Sequence, residues 1–375
     1  MVTILFSKSE IDEGFIAAAK AFSTTIRLLV GLMPCFSSIF THVDSSIVLA
    51  KIQIKMLFYP RYGVKFLIFA YLIAIKYQSM KIQEPSFEIW LQEPGLQGVY
   101  RQIERAGRVC YKSETHRTDE SARPFVERML RNDHTAMLEH GTVYLALKVS
   151  SSADDAETRL ETTVAQKYAQ NKFSHVHTVD GVAYITTNLR VLAENHWMDD
   201  LRYFVEPTAH HVRRITVHFT TQIGTTREFN RHRANSMAEQ STRYCNYAKA
   251  KFGNEITVNL PTWVKEVDET ASLPELFEKV MAGTATDLEN WTFANLAAEK
   301  AYMNLTAAGR KAQEARAVLP LDTNTELVHT AFVSDWNHFF DLRAIGTTGA
   351  PHPDAKILAE PLMEEFRRRG LIAAE

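Results

Sequence analysis

Residues 227–247 read REFNRHRANSMAEQSTRYCNY and combine many charged and polar side chains within a short stretch. The segment follows RRITVHFT at 213–220, where apolar residues at every second position predict a strand. Planar guanidinium groups bind planar anions such as phosphate, so the four arginines at 227, 231, 233 and 243 favour an anion site. The alternative is a solvated basic helix face, which is the commoner meaning of a charge run.

The composition is that of a globular protein. The chain has 375 residues, of which 46% are hydrophobic and 23% charged, enough for one large or two ordinary domains. Its formal net charge of -2 provides no overall positive field for a nucleic acid. Three cysteines with no CxxC pair argue against a disulfide framework and favour a reducing, cytoplasmic setting.

Residues 1–79 differ from the rest of the chain in charge. They carry 8 basic and 4 acidic residues, whereas residues 80–375 carry 42 − 8 = 34 and 44 − 4 = 40. Their apolar runs are shorter than the ~20 residues that span a bilayer, so no membrane association is expected. We predict an extension of doubtful order before a domain at 80–375 that starts at Met80. The alternative is a membrane-surface or partner-docking segment.

From Met80 onward the periodicity of apolar residues predicts regular elements. Helices are predicted at Leu96–Arg108, Pro124–Arg131 and Asp287–Leu305, the last closed by Gly309, and a strand is predicted at Thr142–Ser150. A further helical turn or two is predicted at Ala312–Val318. About sixty residues, at about 150–211, separate the two predicted strands and are interpreted as an insertion.

Four sequence blocks resemble the flavin-dependent thymidylate synthases. Arg231-His232-Arg233, followed after seven residues by Ser241, is similar to the signature of that family. HTAMLEH at 134–140 is similar to its His-x-Thr-Pro-x-Glu-His element, with Ala136 and Met137 replacing Thr and Pro. ARAVLPL at 315–321 and WNHFFDLRA at 336–344 are similar to the remaining two blocks, and all four occur in the family's order.

The resemblance implies a fold and an activity. The expected fold is α/β (α+β), with a central antiparallel sheet flanked by helices, in a homotetramer whose active sites form between subunits. The expected reaction is reductive methylation of dUMP to dTMP, with FAD as redox cofactor, NADPH as reductant and methylenetetrahydrofolate as carbon donor. The cysteine nucleophile of the other kind of thymidylate synthase, in a Pro-Cys-His setting, is absent. C5 of uracil must then be activated by polarising the ring.

The resemblance also assigns roles to individual residues. Arg343 is the expected catalytic group at the uracil ring, and the alternative is a structural pair with Asp341 or another carboxylate. Glu228 cannot bind a phosphate directly and is expected to orient an arginine. The predicted dUMP-binding residues are Glu228, Glu239, Gln240, Ser241, Arg243 and Arg316. The predicted FAD-binding residues are Arg231, His232, Arg233, Glu239, His338 and His134, with a buried, hydrogen-bonded histidine as the alternative for His134.

Other interpretations of these residues remain open. Histidines 175 and 177, 210 and 211, and 134 and 140 suggest metal binding, but no HExxH or Cys/His ligand spacing is present, so no metal is predicted. Ser241 lacks the GxSxG setting of a nucleophile. Cys245 is expected to be a small buried residue. Two rival functions are a nucleic-acid-binding module in which Tyr244 and Tyr247 stack on bases, and an inactive relative that lost flavin through Ala136 and Phe332.

Overall fold

The structure, a computed structural model, describes residues 81–150, 152, 155–267 and 272–373. The predicted extension at 1–79 and the predicted start at Met80 lie outside these residues. The described part has the predicted mixed fold of helices and antiparallel sheets. Its strands are β1 (Lys81–Ile82), β2 (Ser86–Trp90), β3 (Thr142–Lys148), β4 (His175–Val179), β5 (Val182–Asn188), β6 (Arg214–Gln222), β7 (Ser236–Glu239), β8 (Thr257–Val258) and β9 (Asn324–Phe332).

The predicted helices are confirmed to within one or two residues at their ends. The α-helices are α1 (Gly95–Val109), α2 (Ala122–Arg131), α3 (Ala156–Ala169), α4 (Leu189–Glu194), α5 (Ile223–Phe229), α6 (Leu273–Met281), α7 (Asp287–Ala307), α8 (Ala312–Ala315), α9 (Val333–Phe340) and α10 (Pro353–Arg368). Short 3-10 segments include Thr135–His140 and Arg316–Val318, and Asp341–Ile345 forms one π-helical turn after α9.

The main sheet has four antiparallel strands in the order β2-β6-β9-β7. The long central strands β6 and β9 pair along their whole length, from Arg214 opposite Phe332 to Gln222 opposite Asn324. Nearly every residue of β9 is buried, so this strand is covered on both faces of the sheet. One face packs against α9 and α10 through a cluster of aromatic side chains: Phe219, Phe229, Trp336, Phe339, Phe340 and Phe366.

The segment interpreted as an insertion builds most of a second antiparallel sheet, of order β3-β5-β4. Strands β4 and β5 are joined at Asp180 and Gly181, whose φ values of 50° and 75° suit a two-residue hairpin turn. Asp155 is the N-cap of helix α3, and its side chain accepts a hydrogen bond from the Thr158 backbone N–H at 2.7 Å. The predicted apolar face of β3 is confirmed, and it packs against α1 and α3 in a core separate from that of the main sheet.

Helix α7 has capping interactions at both ends, of which the one at Gly309 was predicted. At its start, the Thr286 hydroxyl and the Glu289 carboxylate form a capping box. At its end, Gly309 has φ +89°, and the N–H groups of Gly309 and Arg310 bond back to Thr306 and Leu305 at 3.0 Å. Within the described residues, no helix combines the length and apolar character needed to cross a bilayer.

Candidate active site

Arg343 lies in the π-helical turn Asp341–Ile345, and its side chain is 11% exposed. Its Nη1 lies 2.8 Å from Oε2 of Glu228, in the last turn of α5, and its Nε donates to Nε2 of His232 at 3.2 Å. Asp341, the first suggested structural partner, makes no ion pair within the described residues, but the alternative also allowed another carboxylate, and Arg343 does pair with one. The carboxylate partner of Arg343 is Glu228, which is 115 residues away in sequence. π-Helical turns are frequently found at functional sites.

His232 is buried beside Arg343 as a neutral imidazole. Its ring packs against those of His338 and Phe339, with centroids 5.6 and 5.1 Å apart. Burial, and then the charges of Arg343 and His338, lower the pKa of His232 to about 4. Because Nε2 accepts from Arg343, the ring proton belongs on Nδ1, and this buried atom has no hydrogen-bond partner within the described residues.

Glu239 ends β7 and is held against α5. Its two carboxylate oxygens accept from the Thr226 hydroxyl at 2.7 Å and from the Asn230 side-chain amide at 3.0 Å. These two partners were not predicted from the sequence, although they lie only 13 and 9 residues before Glu239. They hold the Glu239 carboxylate against the C-terminal half of α5.

The loop after β7 brings four predicted dUMP-binding residues together. The Gln240 N–H donates to the Glu326 carbonyl at 2.8 Å, and the Ser241 N–H donates to the Cys110 carbonyl at 2.9 Å. The Ser241 hydroxyl accepts from the Arg243 backbone N–H at 3.3 Å. Arg316 reaches the same loop, because its Nη1 donates to the Thr242 hydroxyl at 3.2 Å.

The four arginines of the segment 227–247 are all exposed. Within the described part of the chain none of them forms an ion pair, and the Arg243 guanidinium lies over the Tyr244 ring, 5.2 Å from its centroid. Exposure is expected both for a solvated basic face and for an anion site. Both interpretations of these four arginines therefore remain open.

His134 and His140 belong to one sequence block but have opposite environments. His134 is exposed, so the alternative of a buried histidine is wrong for this residue. His140 is fully buried, its Nδ1 lies 2.8 Å from the Thr330 hydroxyl, and burial lowers its pKa to about 3. Among the described contacts, no hydrogen bond or ring contact joins His134 to the group around Arg343.

Several buried polar residues near the site were not predicted. His329 lies within 6.5 Å of the His232 ring, accepts from the Asn235 amide at 2.6 Å, and has a pKa well below its usual value because of burial. Glu326 forms an ion pair with Lys112 and bonds to His218 at 2.9 Å. These partners are more than 90 residues apart, so no local pattern could have indicated them.

The histidines that suggested a metal site do not assemble into one. His177 Nδ1 lies 3.1 Å from the His210 backbone carbonyl, and His211 bonds to Thr208 and to the Leu145 carbonyl. The part of the chain that the structure describes contains no group of three or more His, Cys, Asp or Glu side chains that could hold a metal ion.

Cys245 and the two tyrosines beside it complete the comparison with the sequence. Cys245 is fully buried, as predicted, and burial raises the pKa of its thiol to about 11. Tyr244 is 58% exposed, whereas Tyr247 is 4% exposed. The suggested stacking of nucleic-acid bases on both tyrosines is therefore wrong for Tyr247.

Comparisons with solved structures and with curated sequences gave the following similarities. The chain is similar to the crystal structure of a UMP/dUMP methylase, PolB from Streptomyces cacaoi bound with 5-Br dUMP, with 16% identity and a TM-score of 0.34. The match covers 77% of this chain and 93% of that chain. The same protein bound with 5-Br UMP gives 15% identity, 77% and 92% coverage and a TM-score of 0.34. No curated protein sequence matches this one.

A family model, described as thymidylate synthase complementing protein, matches residues 154–369. The match covers more than half of the 375 residues and includes Glu228, Ser241 and Arg343, as well as most of the segment interpreted as an insertion; His134 lies outside it. The chain therefore belongs to the thymidylate synthase complementing protein family, the flavin-dependent thymidylate synthases.

Proposed function

We propose that this protein methylates dUMP reductively to dTMP, with methylenetetrahydrofolate as carbon donor, FAD as redox cofactor and NADPH as reductant. The observation that carries the proposal is the buried guanidinium of Arg343, held by Glu228 and His232 within the family match. A fixed cation at the uracil ring favours the ionised ring, and ionisation makes C5 nucleophilic.

The cysteines support activation by charge rather than by a thiolate. Burial raises the thiol pKa values of Cys110 and Cys245 to about 11, so about one thiol in ten thousand is ionised at neutral pH. Cys35 lies outside the described residues. A nucleophilic cysteine therefore has no support among the described residues, and Arg343 is the group we assign to C5 activation.

The loop 240–243 is the proposed phosphate site. Ser241 offers a hydroxyl, Arg243 adds a guanidinium from the same loop, and Arg316 brings a second guanidinium to the Thr242 hydroxyl. Guanidinium forks suit phosphate oxygens. Gln240, which is 5% exposed, anchors this loop through its backbone bond to Glu326.

The residues assigned to FAD fit its chemistry. Arg231 and Arg233 are exposed guanidinium groups with no ion-pair partner among the described residues, and the Nδ1–H of His232, unpaired among those residues, can donate to a ring carbonyl. His338 packs against the His232 ring, and Glu239 is held by the Thr226 hydroxyl. When bound, FAD supplies the hydride of the reaction, and these residues bind and orient it.

The proposal includes a homotetramer with active sites shared between subunits, in which His134 would contact FAD from a neighbouring subunit. The free thiols of Cys110 and Cys245 support a cytoplasmic location, since thiols persist in reducing compartments. Nucleic acid and membrane are not proposed as partners.

The direct test uses the purified full chain. We expect a yellow protein with the absorption spectrum of oxidised flavin, and dTMP formation that needs dUMP, methylenetetrahydrofolate and NADPH together. A colourless protein that cannot be reconstituted with FAD would point to the flavin-free relative. A flavin-free protein that binds oligonucleotides would point instead to the nucleic-acid-binding module.

A further inference from the structure

The ion pair between Glu228 and Arg343 opposes the reaction that the site is proposed to perform. With Nη1 and Oε2 2.8 Å apart, the two side chains together carry no net charge. A guanidinium favours an ionised uracil ring through its positive charge, and an adjacent carboxylate cancels most of that effect. The reaction therefore requires Arg343 without Glu228.

The two partners of Arg343 differ in their freedom to move. His232 is 6% exposed and packed between aromatic rings. The Glu228 side chain is 36% exposed, and Arg343 is its one side-chain contact within the described residues. Glu228 also lies in the last turn of α5, where the helix dipole disfavours a carboxylate. Arg343 thus supplies the attraction that keeps Glu228 in this place.

We infer that Glu228 is a displaceable carboxylate: it binds Nη1 of Arg343 before the substrate arrives and is exchanged for the uracil ring, while His232 keeps Nε in position. This inference rests on the proposed function. Nη2 has no partner within the described residues, so the exchange frees the Nη1–Nη2 edge of Arg343. That edge can bind two neighbouring acceptors of a planar ring.

The test measures equilibrium binding of dUMP to the full chain by calorimetry. Because the substrate no longer competes with a carboxylate, Glu228→Gln should bind dUMP about two- to fivefold more tightly, the effect expected for a partly exposed ion pair. Glu228→Asp, whose carboxylate is one carbon shorter, should change affinity in the same direction. The matched control is Asp341→Asn, which removes a negative charge from the π-helical turn without touching Arg343, and we expect less than about a twofold change.

A second ligand separates the ring from the phosphate. Deoxyribose 5-phosphate lacks the uracil ring, so Glu228→Gln should bind it as the wild type does. Weaker or unchanged dUMP binding in a folded Glu228→Gln protein, checked by thermal unfolding, would overturn the exchange and make Glu228 a fixed positioning residue. A wild-type chain that does not bind dUMP at all would overturn the proposed function together with the exchange.

Discussion

Replacing Arg343 by alanine should slow methylation far more than it lowers FAD content or NADPH oxidation. An opposite charge within about 4–6 Å typically shifts a pKa by about 1–3 units, and each unit is worth about 1.4 kcal/mol. Loss of the guanidinium should therefore slow dTMP formation at saturating dUMP by about 10- to 1000-fold. The flavin half-reaction does not need an ionised uracil and should continue.

The structure indicates that this variant will fold. Arg343 contributes polar contacts rather than core packing, and Glu228, with a side chain 36% exposed, can be hydrated when its partner is removed. The pKa of His232 should rise when the neighbouring charge is removed, yet stay below 6.5 because burial is the larger cause of its shift. A titration of the His232 ring by NMR would check this independently of activity.

The assay compares dTMP formation, FAD absorbance and NADPH oxidation across a range of dUMP concentrations. Arg343→Lys should recover part of the activity, because an ammonium is a point charge without a planar fork. Arg243→Ala is the control, since a phosphate contact should act through affinity that excess dUMP restores. An Arg343→Ala enzyme that regains a normal rate when dUMP is raised would refute the assignment of ring activation to Arg343.

Three further predictions concern other parts of the chain. Ser241→Ala should weaken dUMP binding by about 2- to 13-fold, the cost of a neutral hydrogen bond, and leave methylation measurable; lost turnover with normal binding would instead identify a nucleophile. A chain beginning at Met80 should bind FAD and dUMP as tightly as the full chain, and loss of flavin or of the tetramer would show that residues 1–79 are needed. Because the folded-state pKa values of His140, His232 and His329 are lowered, their stabilising effect is present above pH 6.5 and is lost as the pH falls. Denaturant unfolding should show a loss of about 1.6 kcal/mol each for His140 and His232 between pH 6.5 and 5, with a further loss from His329, and a smaller total loss in His140→Gln; equal stability at both pH values would contradict this.

The sequence predicted the parts of the fold that depend on local periodicity. Strand alternation at 213–220 and helical spacing at 287–305 give elements within two residues of those observed. The hairpin of β4 and β5 was not predicted, although Asp180-Gly181 between alternating residues is a hairpin signal. The strands on either side are only five and seven residues long, so their periodicity is a weak signal.

The sequence identified the members of the site but not their partners. Glu228 and Arg343 were each assigned a role, yet their ion pair depends on β9 and α9 returning the chain to α5. Likewise, a single sequence block does not reveal that His134 is exposed and His140 buried, since that difference arises from the packing of the 3-10 segment Thr135–His140. Long-range pairing of this kind requires tertiary structure.

The π-helical turn Asp341–Ile345 makes the position of Arg343 depend on chain length. A π-helical turn holds about one residue more than an α-helical turn, and successive residues of an α-helix are about 100° apart around the axis. Deleting one residue between Phe340 and Arg343 would allow α9 to continue as a regular helix and would turn the guanidinium away from His232. Gly346, with φ +81°, ends the turn, and a Cβ there would lie 2.7 Å from the Gly349 carbonyl oxygen. A one-residue deletion in this turn should therefore disable the site as fully as the loss of the arginine itself.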